Sequence, residues 1–387
     1  MARHIELHLI QNFAPSNLNR DDTGAPKDAL FGGYRRARIS SQCLKRAIRS
    51  LASEEDLWGE RSRGVRTKKA AQLIAERLQT MDEHLEETVA FDMATLVLAA
   101  VGFKLNEAQE TQYLLFLGRA ELDALVDLAR RHWETLEPLA RSWRENPSKK
   151  TKKKDFGEEL PKEVVKQAKT RLDGGRAVDI GLFGRMLADE PSKNIDAGCQ
   201  VAHAISTHKV DREFDYFTAM DDYADPGQTG AGMIDHLEFN SACFYRYAVL
   251  DPQLMARNLQ GETELTLDGI QGFIQAAIRA IPSGKQNTFA AHNPPLFIGV
   301  SVRDRGARNL ANAFEAPIRP KAEQPLSQQS VARLAEHERT LGRVYGESPW
   351  AVIDLTGGWP SETFGKALDS PEALADWAAQ AAREALE

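Results

Sequence analysis

Apolar residues in this chain keep two different periods, and the order in which those periods alternate limits the folds open to it. Ile5, Leu7 and Leu9 alternate with Glu6 and His8, the mark of a strand half-buried in a sheet. From about Ser41 the period lengthens. Leu44, Ala47, Ile48 and Leu51 fall at i, i+3, i+4 and i+7, the buried stripe of a helix, with Ser40 or Ser41 placed to cap it. Residues 65 to 172 read as almost wholly helical, with Ile74, Leu78, Met81 and Leu85 on one apolar face and Leu122, Val126, Ala129, Trp133 and Leu136 on another. Alternation returns at Val178, Ile180 and Leu182, and again at Cys243, Tyr245, Tyr247 and Val249. A helix over Leu267, Ile270, Ile274, Ala277 and Ile281 is stopped by Pro282-Ser283-Gly284, and Leu296, Ile298, Val300 and Val302 form a last strand. Ser370-Pro371-Glu372 then opens a C-terminal helix.

With the insertions removed, the order is βαββαβ, so the expected class is α+β with a ferredoxin-like (RRM-like) core, a large helical insertion and a long excursion. Two segments are too long for simple connectors. Residues 12–39 read as a loop rich in Asn, Asp, Pro and Gly; residues 188–236 read as an excursion with a helix around Val201–His208. Many functions use this core, so fold alone decides none.

The chain has 387 residues, enough to bury a substantial core, and a net charge of −7. Overall charge therefore gives no hint of nucleic acid, and any such partner must be argued from where the cations sit. Cys43, Cys199 and Cys243 are odd in number and form no CxxC pair, which argues against a disulfide framework or thiolate zinc and fits a reducing cytoplasm. No apolar run has membrane-spanning length, and the N-terminus reads directly as a strand rather than a signal peptide. No cofactor or metal is called for, and no membrane partner.

Between Asp28 and Glu54 there is no acidic residue, while Arg35, Arg36, Arg38, Lys45, Arg46 and Arg49 all fall there. On the expected helix Gln42, Lys45, Arg46 and Arg49 lie opposite the apolar stripe. Gly32-Gly33 permits close backbone approach, and Ser40-Ser41 at a helix start offers N–H groups to an oxyanion. Together these suit a phosphate-rich ligand; the plain alternative is a solvated face, which would normally mix both signs. A second cationic run, Lys149, Lys150, Lys152, Lys153 and Lys154, suits non-specific contact with a polyanion or a solubilising loop. The excursion carries Phe214, Tyr216, Phe217, Met220, Tyr223, Met233 and Ile234, either for stacking on bases or as a small satellite core; Met186 has the same ambiguity.

The chain resembles the backbone subunit of the type I-E CRISPR Cascade complex, the Cas seven family, also called CasC. The segments that carry the resemblance are Leu18–Asp22, Lys27–Gly33, Arg35–Gln42, Lys45–Ala47, Ala202–His208, Phe217–Ala219, Phe244–Tyr247, Gly284–Gln286 and Asn312–Glu315. It implies a palm in residues 1–60, 173–187 and 239–387, helical fingers in 61–172 and a thumb in 188–238. Copies would stack head-to-tail along a CRISPR RNA, with target DNA and other Cascade subunits as further partners. By resemblance, Arg20, Lys27, Arg38, Ser40, Gln42, Lys45, Arg46, Arg49 and Lys285 contact the guide backbone. Met186 wedges beside a base; Tyr216, Phe217, Met220 and Ile234 lie on the thumb; and Lys149, Lys150, Lys152, Lys153 and Lys154 hold target DNA. Tyr34 stands where family members can carry a basic residue, and Tyr216 replaces a larger indole at the thumb.

The family role implied is non-catalytic. The rival class is a metal-dependent ribonuclease, since relatives in other CRISPR types cut RNA with an aspartate and Asp21, Asp22 and Asp28 lie beside the basic patch. His203 and His208 are spaced for neither an i, i+4 metal pair nor a zincin motif. Carboxylates near arginines more often serve as charge partners.

Overall fold

A computed structural model of the protein describes residues 3–82, 84–106, 108–145, 160–219 and 233–387. These form two compact units, one from Met1–Leu57, Cys199–Gln253 and Leu267–Glu387, the other from Trp58–Gly198 and Leu254–Thr266. The class is mixed α+β, as expected.

The first unit is built on a large mixed sheet. Its strands are β1 (His4–Ser16), β2 (Asp28–Phe31), β3 (Tyr34–Ile39), β6 (Cys199–Val201), β7 (Ala204–Ser206), β8 (Glu213–Ala219), β9 (Met233–Leu250), β10 (Phe297–Arg303), β11 (Trp350–Asp354) and β12 (Lys366–Ala367), while the short strands β4 (Gly64–Thr67) and β5 (Leu115–Gly118) pair in the second unit. Neighbours run β12-β11-β10-β1-β9-β7-β3-β2, with β6 and β8 also pairing β9. Among the described strands only β11 and β12 pair in parallel.

The strand β1 is buried on both faces, not one. Leu7 and Leu9 lie with Leu44 and Ile48 of the helix Ser41–Glu54 and Ala277 of the helix Thr263–Arg279. The face bearing Glu6 and His8 is covered too: Ile10 packs with Val331 and Leu334 of the helix Leu326–Tyr345, and both polar side chains are fully enclosed. Their hydrogen-bonding capacity is met inside. Tyr247 and Ser301 both donate to Glu6, at 2.8 and 2.9 Å, and Arg303 pairs with both Glu6 and Glu338. Burial pushes His8 down despite the neighbouring Glu6 carboxylate, so the ring is neutral. The network then assigns its tautomer: Nε2–H faces Glu6 and Nδ1 accepts from the Tyr245 hydroxyl at 2.9 Å. Burial alone would push Glu6 up, but the His8 hydrogen bond, the charge that His8 gains once protonated in acid, and the Arg303 charge outweigh it and bring the carboxyl down to about 2.

Three local expectations are corrected. The segment read as a loop up to residue 39 contains a hairpin, β2 with β3, turned at Gly32-Gly33, both with positive φ (59° and 82°). Such a two-residue glycine turn is a hairpin signal in its own right. The expected strand at 178–182 is the helix Val178–Phe183. Its small and polar positions are not a solvent face: Asp179 accepts from the Gly64 N–H at 2.7 Å, and Gly181 leaves room for Leu259. The expected helix at Val201–His208 is instead β6 and β7, because pairing with the long strand β9 decides the local conformation.

The second unit gathers the helices Ala70–Met81, Glu87–Val101, Arg119–Arg131, Trp133–Glu145 and Lys162–Thr170. Glu87–Val101 is apolar nearly all round and forms the centre of one shared core, as a helix without a polar face must. The expected apolar faces hold, except that Met81 is exposed.

Candidate nucleic-acid interface

The helix Ser41–Glu54 starts where Ser40, in extended conformation, accepts a hydrogen bond from the Cys43 N–H at 3.3 Å. Leu44, Ile48 and Ala52 are buried; Gln42 and Arg46 are exposed, and Lys45 and Arg49 lie half-buried at the flanks. Ser40 is itself nearly buried, and its N–H is donated to Asn19 Oδ1 at 2.8 Å. What it keeps to offer a ligand is its hydroxyl hydrogen.

Beside this helix the loop Asn19–Lys27 is folded back on itself. Asp21 accepts from Thr23 N, Thr23 Oγ1 and Ala25 N at 3.0, 2.7 and 3.0 Å, hydrogen bonds that hold its carboxyl below the usual range. The Lys27 N–H donates to Asn19 O at 2.8 Å, and the Arg38 N–H donates to Lys27 O at 2.9 Å. The Arg38 guanidinium donates to Asp28 O at 3.1 Å and meets His203 Nδ1 at 3.0 Å. Burial and the charges of Arg38 and Lys27 push His203 down, so its ring accepts from Arg38 rather than competing as a cation.

Gly284 closes on the same loop. A Cβ there would lie 2.3 Å from Leu18 O, so only glycine allows the approach. Lys285 follows in the left-handed region with φ of 52°, and its carbonyl accepts from Thr288 and Phe289 at the start of the turn Gln286–Phe289. The result is an open groove of about 870 Å³ whose lining includes Arg20, Arg46, Arg279 and His292 together with Asp22 and Glu54.

The aromatic segment is the strand β8, paired with the first residues of β9. Phe214 and Tyr216 share one face, 59% and 75% exposed, and Phe217 on the other is 45% exposed. These three are not a satellite core. Ile234 pairs with Thr218 in the ladder. Met220, Tyr223 and the lysines 149–154 lie outside the described residues. In the second unit Met186 is 80% exposed on a firm base: Arg185 next to it exchanges backbone hydrogen bonds with Ile195 at 2.9 Å, and its buried guanidinium pairs with Glu121 at 2.7 Å.

The model of the CT1975-like protein family matches residues 5–378. The chain belongs to this family. Two solved structures are similar along nearly the whole of it. One is a chain titled "CRISPR RNA-guided surveillance complex, pre-nicking", 29% identical, with 98% of this chain and 100% of that chain covered and a TM-score of 0.83. The other, titled "CRISPR RNA-guided surveillance complex", is 23% identical over 98% of this chain and 99% of that chain, with a TM-score of 0.73, and shows likeness of fold. No curated protein sequence matches.

In this CT1975-like chain the cations of the acid-free window do not share one fate. Arg46 is exposed and lines the groove, Arg38 is half-buried against Asp28 O and His203, and Arg36 is fully buried and donates to the carbonyls of Ser206, Phe314 and Glu315. Arg35 is paired with Asp28. The three candidate aspartates divide in the same way: Asp21 is committed to its turn and Asp28 to Arg35 and Arg212, while Asp22 is exposed. Among the described residues no three His, Cys, Asp or Glu side chains gather as a metal site would need. The groove residues Arg279 and His292 and the Arg38 partner His203 were missed in the sequence, since each becomes relevant only through the fold. One available signal was that Arg279 ends a helix just before the Pro282–Gly284 breaker.

Proposed function

We propose that this chain is a backbone subunit of a CRISPR RNA-guided surveillance complex, binding guide RNA through its sugar-phosphate backbone without chemistry of its own. The observation that carries this is the family match over residues 5–378 joined to full-length similarity with a chain of such a complex. A guide of any sequence must be held without its bases being read, so contacts belong on phosphates and shape. Arg20, Lys27, Arg38, Ser40, Gln42, Lys45, Arg46, Arg49 and Lys285, all in one unit, are the residues proposed for this. Met186 would wedge beside a base, Tyr216, Phe217, Met220 and Ile234 would meet the displaced nucleotide, and the lysines 149–154 would meet target DNA.

The finer reading is a type I-E subunit with a ferredoxin-like palm, stacked head-to-tail with its own copies and joined to other Cascade subunits in the cytoplasm. The type rests on the sequence segments alone. The palm is supported by the antiparallel neighbours β10-β1-β9-β7, an order in which β6 and β7 take the place expected for residues 178–182. Head-to-tail contacts that do not close would give a filament suited to an extended strand.

The test is purification from cells that carry a CRISPR array. The expected result is co-purification with RNA of uniform length and several partner proteins, and no cleavage of target RNA with divalent metal. Protein free of RNA, or metal-dependent cleavage abolished by Asp22→Ala, would overturn the proposal.

A further inference from the structure

The hairpin of β8 with the start of β9 projects from the sheet with little to aim it. Pairing of β9 with β1 begins only at Asn240, so among the described residues the segment before it pairs with β8 alone. A two-stranded ribbon of this kind is marginal by itself, and its direction has to be set at the root.

Arg212 sits at that root, immediately before β8. Its guanidinium spans two carboxylates on two other strands, Asp28 of β2 at 3.0 Å and Glu238 of β9 at 3.2 Å. All three side chains are partly shielded, 29%, 26% and 18% exposed. The root has a second tie, because Asn17 donates to the carbonyls of Glu238 and Gly24 at 2.9 and 3.0 Å. Asp28 is also the residue whose carbonyl orients Arg38. One short segment therefore holds both a cation of the proposed guide patch and the anchor of the exposed aromatics.

We propose that Arg212 is a positioning residue, which ties the aromatic hairpin to the cationic patch through Asp28 and Glu238 so that both meet the same stretch of RNA. This rests on the proposed RNA-binding function. Each terminal nitrogen of Arg212 already donates to a carboxylate, which assigns the residue to the hairpin; a phosphate held by its remaining N–H groups would show itself in the salt slope.

The test compares wild type, Arg212→Gln, Arg212→Lys and the control Lys209→Gln, whose pair with Asp211 spans no strands. In the RNA-free full chain, amide hydrogen exchange over residues 213–219 and 236–239 is expected about tenfold faster in Arg212→Gln, with β1 and β10 unchanged and Lys209→Gln like wild type. Arg212→Lys, a point charge that cannot fork both carboxylates, falls between. Affinity for a single-stranded RNA oligonucleotide is expected to drop about fivefold with the salt slope unchanged, whereas loss of a phosphate contact would lower the slope by about 0.7. Unchanged exchange, unchanged affinity with a loosened hairpin, or a lowered slope would each overturn the assignment. If wild type bound no RNA the proposed function would fall, and the exchange comparison would still decide the anchor. Should Arg212→Gln not fold, Glu238→Gln removes one pair from the other side and gives the same readouts at smaller amplitude.

Discussion

The outer face of β1 and the outer face of the helix Ser41–Glu54 look alike in sequence, polar residues opposite an apolar stripe, yet they have opposite fates. Glu6 and His8 are sealed under the helix Leu326–Tyr345 and answered by Tyr245, Tyr247, Ser301 and Arg303. Gln42 and Arg46 stay exposed beside an open groove. A polar stripe thus marks either a second, hydrogen-bonded core or a surface for a ligand, and which one depends on elements hundreds of residues away.

The comparison breaks most readily at Arg303. Replacing it by methionine leaves Glu6 and Glu338 buried without their cation and should cost about 3–5 kcal/mol in urea unfolding. An effect below about 1 kcal/mol would mean the network is not sealed. The next largest effect is acid sensitivity. Glu6 is held at about 2 against an ordinary 4.5, so its contribution is present above pH 4.5 and fades as the pH falls toward 2, on the order of 2–3 kcal/mol. His8 acts in the same direction: its folded value is depressed from 6.5, so the stability it contributes is present above pH 6.5 and lost below. Unfolding midpoints should hold from pH 8 to about 6.5 and fall from there to pH 3, and a profile flat across the whole range would contradict the buried pair.

On the helix the effects are smaller. Ser40→Ala removes the cap and should cost about 1 kcal/mol. Arg46→Gln should change stability by less than about 0.5 kcal/mol while lowering RNA affinity several-fold, the reverse of Arg303→Met. If Arg46→Gln unfolded the protein and left RNA binding intact, the two faces would have been assigned the wrong way round.

Much of this was legible in the sequence where one element settles its own pattern. The helix from Ser41 with its serine cap, the strands at Ile5 and Tyr245, the stop at Pro282–Gly284 and the cap at Ser370 all follow from local chemistry. What failed was settled by distant partners. Val178–Phe183 alternates like a strand only because Asp179 and Gly181 have buried neighbours, and Ala204–Ser206 becomes a strand because β9 lies beside it. The same holds for the candidate site. Arg36 and Arg38 are two residues apart in one strand, but carbonyls from far down the chain claim Arg36 and leave Arg38 beside Lys27 and His203.

The central claim is that cations on one face hold a polyanion without reading it, and a salt titration of RNA binding tests it most directly. With about six phosphate contacts per subunit, log affinity should fall against log salt with a slope of about −4, and neutralising Lys45, Arg49 and Lys285 together should bring it to about −2. A wild-type slope near zero, or a triple variant that retains the full slope, would contradict the account.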